Sequence, residues 1–131
     1  MQVAGEIALD TSIAIRYLNG DEAVVQRVLA LANVILPLTV VGELLFGAAN
    51  SGRAAKNLPR YLAFINACSV RPMRQETAIA YYQVRLNLKQ KGKPIPENDI
   101  WIAGQCVDNQ WTLATNDAHF GNVDGLAAEY W

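Results

Sequence analysis

Histidine and cysteine are scarce in this chain, which limits the chemistry that its side chains offer. The 131 residues include one histidine, His119, and two cysteines, Cys68 and Cys106. The cysteines have no CxxC spacing, and no histidine cluster accompanies them. A Zn²⁺ site built from sulfur and nitrogen ligands is therefore not expected. We expect each cysteine to be a buried, reduced thiol.

Charged residues are also few, and neither sign dominates. They make up 18% of the sequence, hydrophobic residues make up 52%, and the formal net charge is −1. This composition excludes a disordered chain and argues against a generic polyanion binder. The length favours one domain over residues 1–131. Because no basic segment precedes an apolar one near the start, and the uncharged run 28–42 is too short for a bilayer, we expect a soluble, cytoplasmic protein.

Apolar stretches with two different periods alternate along the chain. Short apolar runs predict strands within 6–10, 34–38, 68–73, 111–115 and 125–131. Apolar residues at helical spacing predict helices at 11–20, 21–33, 53–66, 74–92 and 99–110, and another around Glu43. Thr11 or Ser12 could cap the first helix, Thr39 could cap the helix of Glu43, and Pro59 could kink or break the next. Strands that alternate with helices predict an α/β sandwich with a mainly parallel sheet.

Four acidic residues map to the carboxyl edge of this predicted sheet. Asp10 ends the first strand, and Asp117 follows the fourth. Asp99 begins a helix after a loop, and Glu43 lies about one turn into the helix after the second strand. Carboxylates held close together repel one another, and a hard divalent cation relieves that repulsion. Oxygen ligands suit Mg²⁺ or Mn²⁺, and such an ion could activate water at a bound phosphate.

Each of these acids also has a purely structural interpretation. Asp99 could favour the positive end of its helix, Asp117 could be a turn residue, and Asp10 could cap the following helix. Glu43 could curl to the surface. However, it is the only Asp, Glu, Lys or Arg in the segment 28–52, and its apolar neighbours leave little polar face. An ionised carboxylate there is costly unless a partner compensates it.

Two further features have more than one interpretation. His119 could be a metal ligand or a general base, although a lone histidine in a turn is more often structural or solvated. Arg85, Lys89, Lys91 and Lys93 form a basic stretch. That stretch could guide a nucleic-acid backbone or form a solvated helix face.

Four motifs, in order, resemble those of the PIN-domain ribonucleases, specifically the VapC-type toxins of toxin–antitoxin pairs. The first two are "LDTSIAI", which contains Asp10, and "VVGELLFG", which contains Glu43. The others are "ENDIWIAG", which contains Asp99, and "LATNDAHF", which contains Asp117. The resemblance covers about residues 6–131. The third motif departs from the usual pattern, because Ala103-Gly104 stands where two alanines are common.

The resemblance implies a fold, a metal site and an activity. The fold is a three-layer α/β/α sandwich whose twisted, mainly parallel central sheet has about four to five strands. Asp10 and Asp99 would hold the principal Mg²⁺ or Mn²⁺ ion, while Glu43 and Asp117 would complete the site. Three polar residues would support these ligands: Ser12, Asn98 and Thr115. The activity would be endonucleolytic hydrolysis of RNA by metal-activated water, with a homodimer and a cognate antitoxin as assemblies.

The residues argue against three alternatives to this function. A non-catalytic PIN-fold interaction module would be free to lose such costly acids. A receiver-like signalling domain needs an acceptor aspartate after a central strand and a lysine after a late one. The third strand, "CSV", lacks the aspartate, and no lysine follows "WTLAT". Metal-free RNA cleavage often uses a histidine pair, which a chain with one histidine cannot supply.

Overall fold

A central β-sheet organises residues 6–131, which are the part of the chain that this computed structural model describes. Residues 1–5 of the predicted domain lie outside the described part. The strands are β1 Ile7–Leu9, β2 Ile35–Leu36, β3 Ser69–Val70, β4 Thr112–Thr115 and β5 Ala127–Tyr130. Their order is β3-β2-β1-β4-β5, and these pairings are all parallel. The prediction of a mainly parallel sheet of four to five strands is confirmed.

Six α-helices pack with this sheet into the predicted α/β/α sandwich. They are α1 Thr11–Leu18, α2 Glu22–Leu29, α3 Leu38–Ala49, α4 Ala54–Ala67, α5 Gln75–Lys91 and α6 Glu97–Asn109. A 3₁₀ turn at Ala118–Asn122 follows β4. In residues 6–131, the helices are all too short or too polar to cross a membrane.

The order of the strands reverses beside β1. From β1 the chain moves to β2 and β3 on one side of the sheet, and it later returns to β4 on the other side of β1. The pairing continues one residue past β1, because the backbone N–H of Asp10 donates to the carbonyl of Ala114 at 2.9 Å. In open parallel sheets, ligands bind at the carboxyl ends of the strands where the order reverses. The end of β1 is therefore the expected place for a site.

The start of α1 differs from the prediction. Asp10, rather than Thr11 or Ser12, is the capping residue, and its Oδ1 accepts the backbone N–H of Thr11 at 2.8 Å. This cap was the structural interpretation offered for Asp10. Asp10 lies between the end of β1 and the start of α1, so the backbone of both elements positions its carboxylate at the sheet edge.

The cap predicted for α3 was wrong, and a distant residue fulfils part of its role. Thr39 lies inside the helix, which begins at Leu38 without a side-chain cap. The backbone N–H of Leu38 instead donates to Oε1 of Gln105 at 2.9 Å, and Nε2 of Gln105 donates to the carbonyl of Arg71 at 3.1 Å. Gln105 is fully buried in α6. It therefore fixes the start of α3 against α6 while both of its polar groups are paired.

Two further helix predictions concern α4 and α6. Pro59 lies within α4 and does not break it. Because proline has no backbone N–H, the helix lacks the hydrogen bond that residue 59 would donate to the carbonyl of Ala55. α6 begins at Glu97, two residues before the predicted start, so Asp99 lies in its first turn beside a second acid. The positive end of the helix dipole favours acids in that turn.

Both cysteines are free, although they differ in burial. Cys106 is buried, whereas Cys68 is only half-buried. Burial raises the pKa of the Cys68 thiol to about 11. It also raises the pKa of the Cys106 thiol. Both groups are therefore protonated and poorly reactive at neutral pH, as expected for structural thiols.

Candidate metal centre

Asp10 is the buried acid of the site, with 6% of its surface exposed. Its Oδ1 accepts the backbone N–H of Thr11, and its Oδ2 accepts the hydroxyl of Thr115 at 2.7 Å. Burial raises the pKa of Asp10, and the charges of Glu43 and Asp117 raise it further, while the two hydrogen bonds oppose that rise. The carboxylate is thus fixed in orientation but held in a setting that disfavours its charge.

Glu43 reaches the same region from the second turn of α3. Its Oε1 accepts the hydroxyl of Thr11 at 2.7 Å, so the residue next to Asp10 in sequence supplies a hydrogen bond for this carboxylate. Glu43 is half-buried and faces an open groove of about 650 Å³. The other residues lining that groove are Thr11, Thr39, Gly42, Phe46 and Asn98. Asn98 and Glu43 therefore line the same groove.

Asp99 and Asp117 meet around the imidazole ring of His119. Nε2 of His119 lies 2.8 Å from Oδ2 of Asp99, and Nδ1 lies 2.9 Å from Oδ1 of Asp117. One ligand atom from each of these three residues lies within 4.8 Å of the others. Burial raises the pKa of Asp99, and the charge of Asp10 raises it further. Asp99 therefore interacts electrostatically with Asp10.

Thr115 and Ser12 connect the acids to the end of β4. The hydroxyl of Thr115 donates to Asp10 and accepts the backbone N–H of Asp117 at 3.0 Å. Thr115 is fully buried and its bond to Asp10 is shielded from water, whereas its bond to the exposed Asp117 is only partly buried. Ser12 Oγ donates to the side chain of Asn116 at 2.9 Å. Its contact is thus to the turn after β4 and supports the site less directly than that of Thr115.

From the sequence, His119 was expected to be structural or solvated rather than a metal ligand or general base, and the structure places it between Asp99 and Asp117. A local signal was present, because His119 follows Asp117 by two residues at the end of a predicted strand. The backbone N–H of His119 donates to Oδ1 of Asp117 at 3.2 Å, which starts the 3₁₀ turn and brings the ring back toward the acid. Its closeness to Asp99 depends on packing between α6 and the end of β4 and has no local signal.

The residues at this edge fit a divalent cation. Asp10, Asp99 and Glu43 offer carboxylate oxygens. Burial raises the pKa values of Asp10 and Asp99, and the charge of Glu43 adds to the rise in both. His119 Nε2 is shielded from solvent and has no hydrogen-bond partner among residues 6–131. Clustered oxygens suit Mg²⁺ or Mn²⁺, and a buried nitrogen without a partner is compatible with a metal ligand.

Two members of the basic stretch, Arg85 and Lys91, form ion pairs with acids other than the four predicted site acids. Arg85 Nη1 lies 3.3 Å from Oε2 of Glu97, and Lys91 Nζ lies 2.6 Å from Oδ1 of Asp124. All of these side chains are partly or largely exposed, so the ion pairs contribute little to stability. This arrangement resembles a solvated helix face more than a continuous track for a nucleic-acid backbone.

The fold and these acids together define an α/β/α protein with a cluster of acidic side chains at the switch point of a parallel sheet. The chain belongs to the PIN domain family, whose pattern it matches over residues 7–126. The resemblance found in the four motifs is thereby confirmed at the level of the family.

Named relatives agree with this assignment. The chain is 29% identical to Ribonuclease VapC5 of Mycobacterium tuberculosis over 123 residues, which is 92% of this chain and 89% of the relative. It is 31% identical over 90 residues, 68% of each protein, to the tRNA(fMet)-specific endonuclease VapC of Salmonella typhimurium. A chain in the crystal structure of DNA-bound VapBC from Salmonella typhimurium superposes with a TM-score of 0.90 at 27% identity. That superposition covers 97% of this chain and 98% of the other.

Proposed function

We propose that this chain is a metal-dependent endoribonuclease that acts as the toxin of a type II toxin–antitoxin pair. The observation that carries the proposal is the convergence of Asp10, Glu43, Asp99 and Asp117 on one sheet edge, where Asp10 is buried and its pKa is raised. A fold does not by itself imply an activity. The names of the relatives, which are ribonucleases and endonucleases, add independent support.

Asp10 and Asp99 would hold the principal cation, Mg²⁺ or Mn²⁺, and Glu43 and Asp117 would complete the site or position water. When bound, the cation activates water and stabilises the charge that develops on the phosphate. Thr115 keeps Oδ2 of Asp10 in place during this reaction. Because water rather than the ribose 2′-hydroxyl attacks phosphorus, we expect products with a 5′-phosphate and a 3′-hydroxyl.

The open groove beside Glu43 suits a backbone of single-stranded RNA. It is lined by Thr11, Thr39 and Asn98, which offer neutral hydrogen-bonding groups, and by the exposed ring of Phe46. A ring with 70% of its surface exposed offers a face on which a base could stack. This arrangement supplies access to the acids without requiring a basic protein surface.

A cognate antitoxin is the expected protein partner. Similar chains have been solved in complexes titled VapBC, from Salmonella typhimurium and Rickettsia felis. We propose that such a partner covers the groove and thereby blocks access to Glu43. The homodimer and the cytoplasmic location stay predictions.

Cleavage of RNA by the purified, partner-free chain tests the activity. We expect cleavage of total cellular RNA with Mg²⁺ or Mn²⁺ and none with EDTA. Asp10→Asn should abolish cleavage, because it removes the buried charge. Asparagine keeps one oxygen that can accept the backbone N–H of Thr11, and its amide N–H₂ then faces the hydroxyl of Thr115. Asp124→Asn is the matched control, since this exposed acid pairs with Lys91 instead.

Two results would contradict the proposal. Asp10→Asn protein that cuts RNA as fast as the wild type would exclude this mechanism. A well-folded wild-type chain that cuts no RNA with any divalent metal would favour the non-catalytic interaction module. Circular dichroism of both variants shows whether a loss of cleavage reflects the site or the fold.

A further inference from the structure

His119 lies between the carboxylates of Asp99 and Asp117, and each nitrogen of its ring faces one of them. A neutral imidazole has one N–H donor and one nitrogen lone pair. Its Nδ1 lies 2.9 Å from Oδ1 of Asp117, and that same oxygen accepts the backbone N–H of His119 at 3.2 Å. Asp117 is therefore anchored to the near side of the ring. A neutral ring that donates from Nδ1 to this carboxylate carries its lone pair on Nε2.

The second nitrogen then faces another acceptor. Nε2 is shielded from solvent and lies 2.8 Å from Oδ2 of Asp99, without a hydrogen-bond partner among the residues that the structure describes. Two acceptors at this distance repel unless a proton or a cation is bound by both. Neighbouring ligands of an octahedral ion with bonds of roughly 2.1 Å lie about 3 Å apart. The separation of Nε2 and Oδ2 is close to that value.

We propose that Nε2 of His119 is a direct ligand of the cation that Asp99 holds, and that Asp117 orients the His119 ring through Nδ1. This inference rests on the proposed metal site and adds a nitrogen to its ligands. A metal-bound histidine almost always donates its other ring N–H to a carboxylate or a carbonyl, which fixes the tautomer and the ring orientation. The triad of Asp117, His119 and Asp99 has this arrangement.

A nitrogen ligand changes which cation the site prefers. Carboxylates and water suit Mg²⁺ and Mn²⁺ alike, whereas imidazole favours transition metals. We therefore expect His119 to contribute more to the binding of Mn²⁺ than to that of Mg²⁺. Removing it should raise the dissociation constant for Mn²⁺ by at least about tenfold, with a smaller change for Mg²⁺.

The single histidine makes a direct test possible. In tag-free protein, any imidazole nitrogen that couples to bound Mn²⁺ in pulsed electron paramagnetic resonance belongs to His119, because the sequence has no other histidine. We expect this nitrogen signal in the wild type and its loss in His119→Asn. Asp124→Asn is the control and should keep the signal, because this exposed acid pairs with Lys91 instead of lying in the cation site.

The results separate this inference from the proposed function. If the wild type binds Mn²⁺ and cuts RNA but shows no imidazole signal, His119 is not a ligand, while the proposed function stands. That outcome would mean that a proton, rather than a metal, lies between Nε2 and Asp99. If the wild type neither binds Mn²⁺ nor cuts RNA, the proposed function fails and the inference fails with it. Because the wild-type spectrum alone can overturn the assignment, a variant that misfolds does not weaken the test.

Discussion

The hydroxyl of Thr11 donates to Oε1 of Glu43 at 2.7 Å, across 32 residues of sequence. Thr11 is also the residue whose backbone N–H binds Asp10. One residue at the start of α1 therefore holds two acids, one through its backbone and one through its side chain. This bond accounts in part for a charged residue in the apolar helix α3, because it pairs a carboxylate that would otherwise be costly to bury.

Thr11→Val tests whether this hydrogen bond positions Glu43. Valine has nearly the same shape but no hydroxyl, and the backbone bond to Asp10 is kept. We expect RNA cleavage and metal affinity to fall by roughly 10-fold to 100-fold, the usual effect of losing an outer hydrogen bond at a metal site. Thr11→Ser keeps the hydroxyl and is the matched control. Equal cleavage by the valine and serine variants would exclude a positioning role for Thr11.

The stability of the metal-free protein should decrease as pH rises above about 4. The pKa values of Asp10 and Asp99 are raised above the usual 3.8 in the folded protein, mainly by burial. Between the usual value and the raised values, the folded state binds more protons than the unfolded state. The free energy of unfolding from these groups is therefore largest at low pH and is lost through that window.

Chemical denaturation in EDTA at a series of pH values measures this effect. The variant Asp10→Asn/Asp99→Asn removes both titrating groups, and we expect its stability to decrease less with rising pH than that of the wild type. Saturating Mg²⁺ should weaken or reverse the wild-type trend, because binding requires both carboxylates in their ionised form. Parallel pH profiles for the wild type and the double variant in EDTA would contradict the assigned cause.

The acids could be predicted from sequence because each is tied to a local pattern. Asp10 and Asp117 follow short apolar runs, and parallel strands bring such ends to one edge.

The role of Gln105 could not be predicted, since its contact with Leu38 spans 67 residues. The boundary of α2 was predicted four residues too late, because apolar spacing continues past Leu29 while the chain already turns toward β2. Contacts between residues distant in sequence determine such side-chain contacts and helix ends, and the spacing of apolar residues does not predict those contacts.

Gly104 lies where α6 packs closely against the backbone of α5. A Cβ atom at this position would lie 3.2 Å from both the Cα and the backbone nitrogen of Tyr81, which is tighter than ordinary contact. Alanine usually stabilises a helix interior by about 0.5–1 kcal/mol relative to glycine. We expect Gly104→Ala to lose this gain and to lower the free energy of unfolding. The atoms that the added methyl group would meet belong to the backbone of α5, which cannot move aside as easily as a side chain.

Gly47→Ala is the matched control for this prediction. Gly47 lies in α3, and a Cβ atom there would meet nothing within 4 Å. We expect this variant to be more stable than the wild type by up to about 1 kcal/mol. Urea denaturation of both variants measures the difference. A Gly104→Ala protein as stable as Gly47→Ala would show that α5 moves away without cost.

Glu43→Gln should separate the effect of charge from that of metal binding. The charge of Glu43 helps to raise the pKa values of Asp10 and Asp99, so its removal relieves repulsion in the metal-free fold. Glutamine can still accept the hydroxyl of Thr11. In EDTA we therefore expect the variant to unfold at a higher temperature than the wild type.

Added Mg²⁺ should then reverse the order of the two proteins. A ligand at about 100 times its dissociation constant stabilises the fold by about 2.7 kcal/mol, and a tenfold weaker site loses about 1.4 kcal/mol of that gain. The wild type should gain more stability from Mg²⁺ than Glu43→Gln does, and thermal unfolding with and without the ion measures both gains. Equal gains would show that Glu43 does not contribute to the cation site. A lower unfolding temperature for the variant in EDTA would show that its hydrogen bond with Thr11 outweighs the repulsion among the acids.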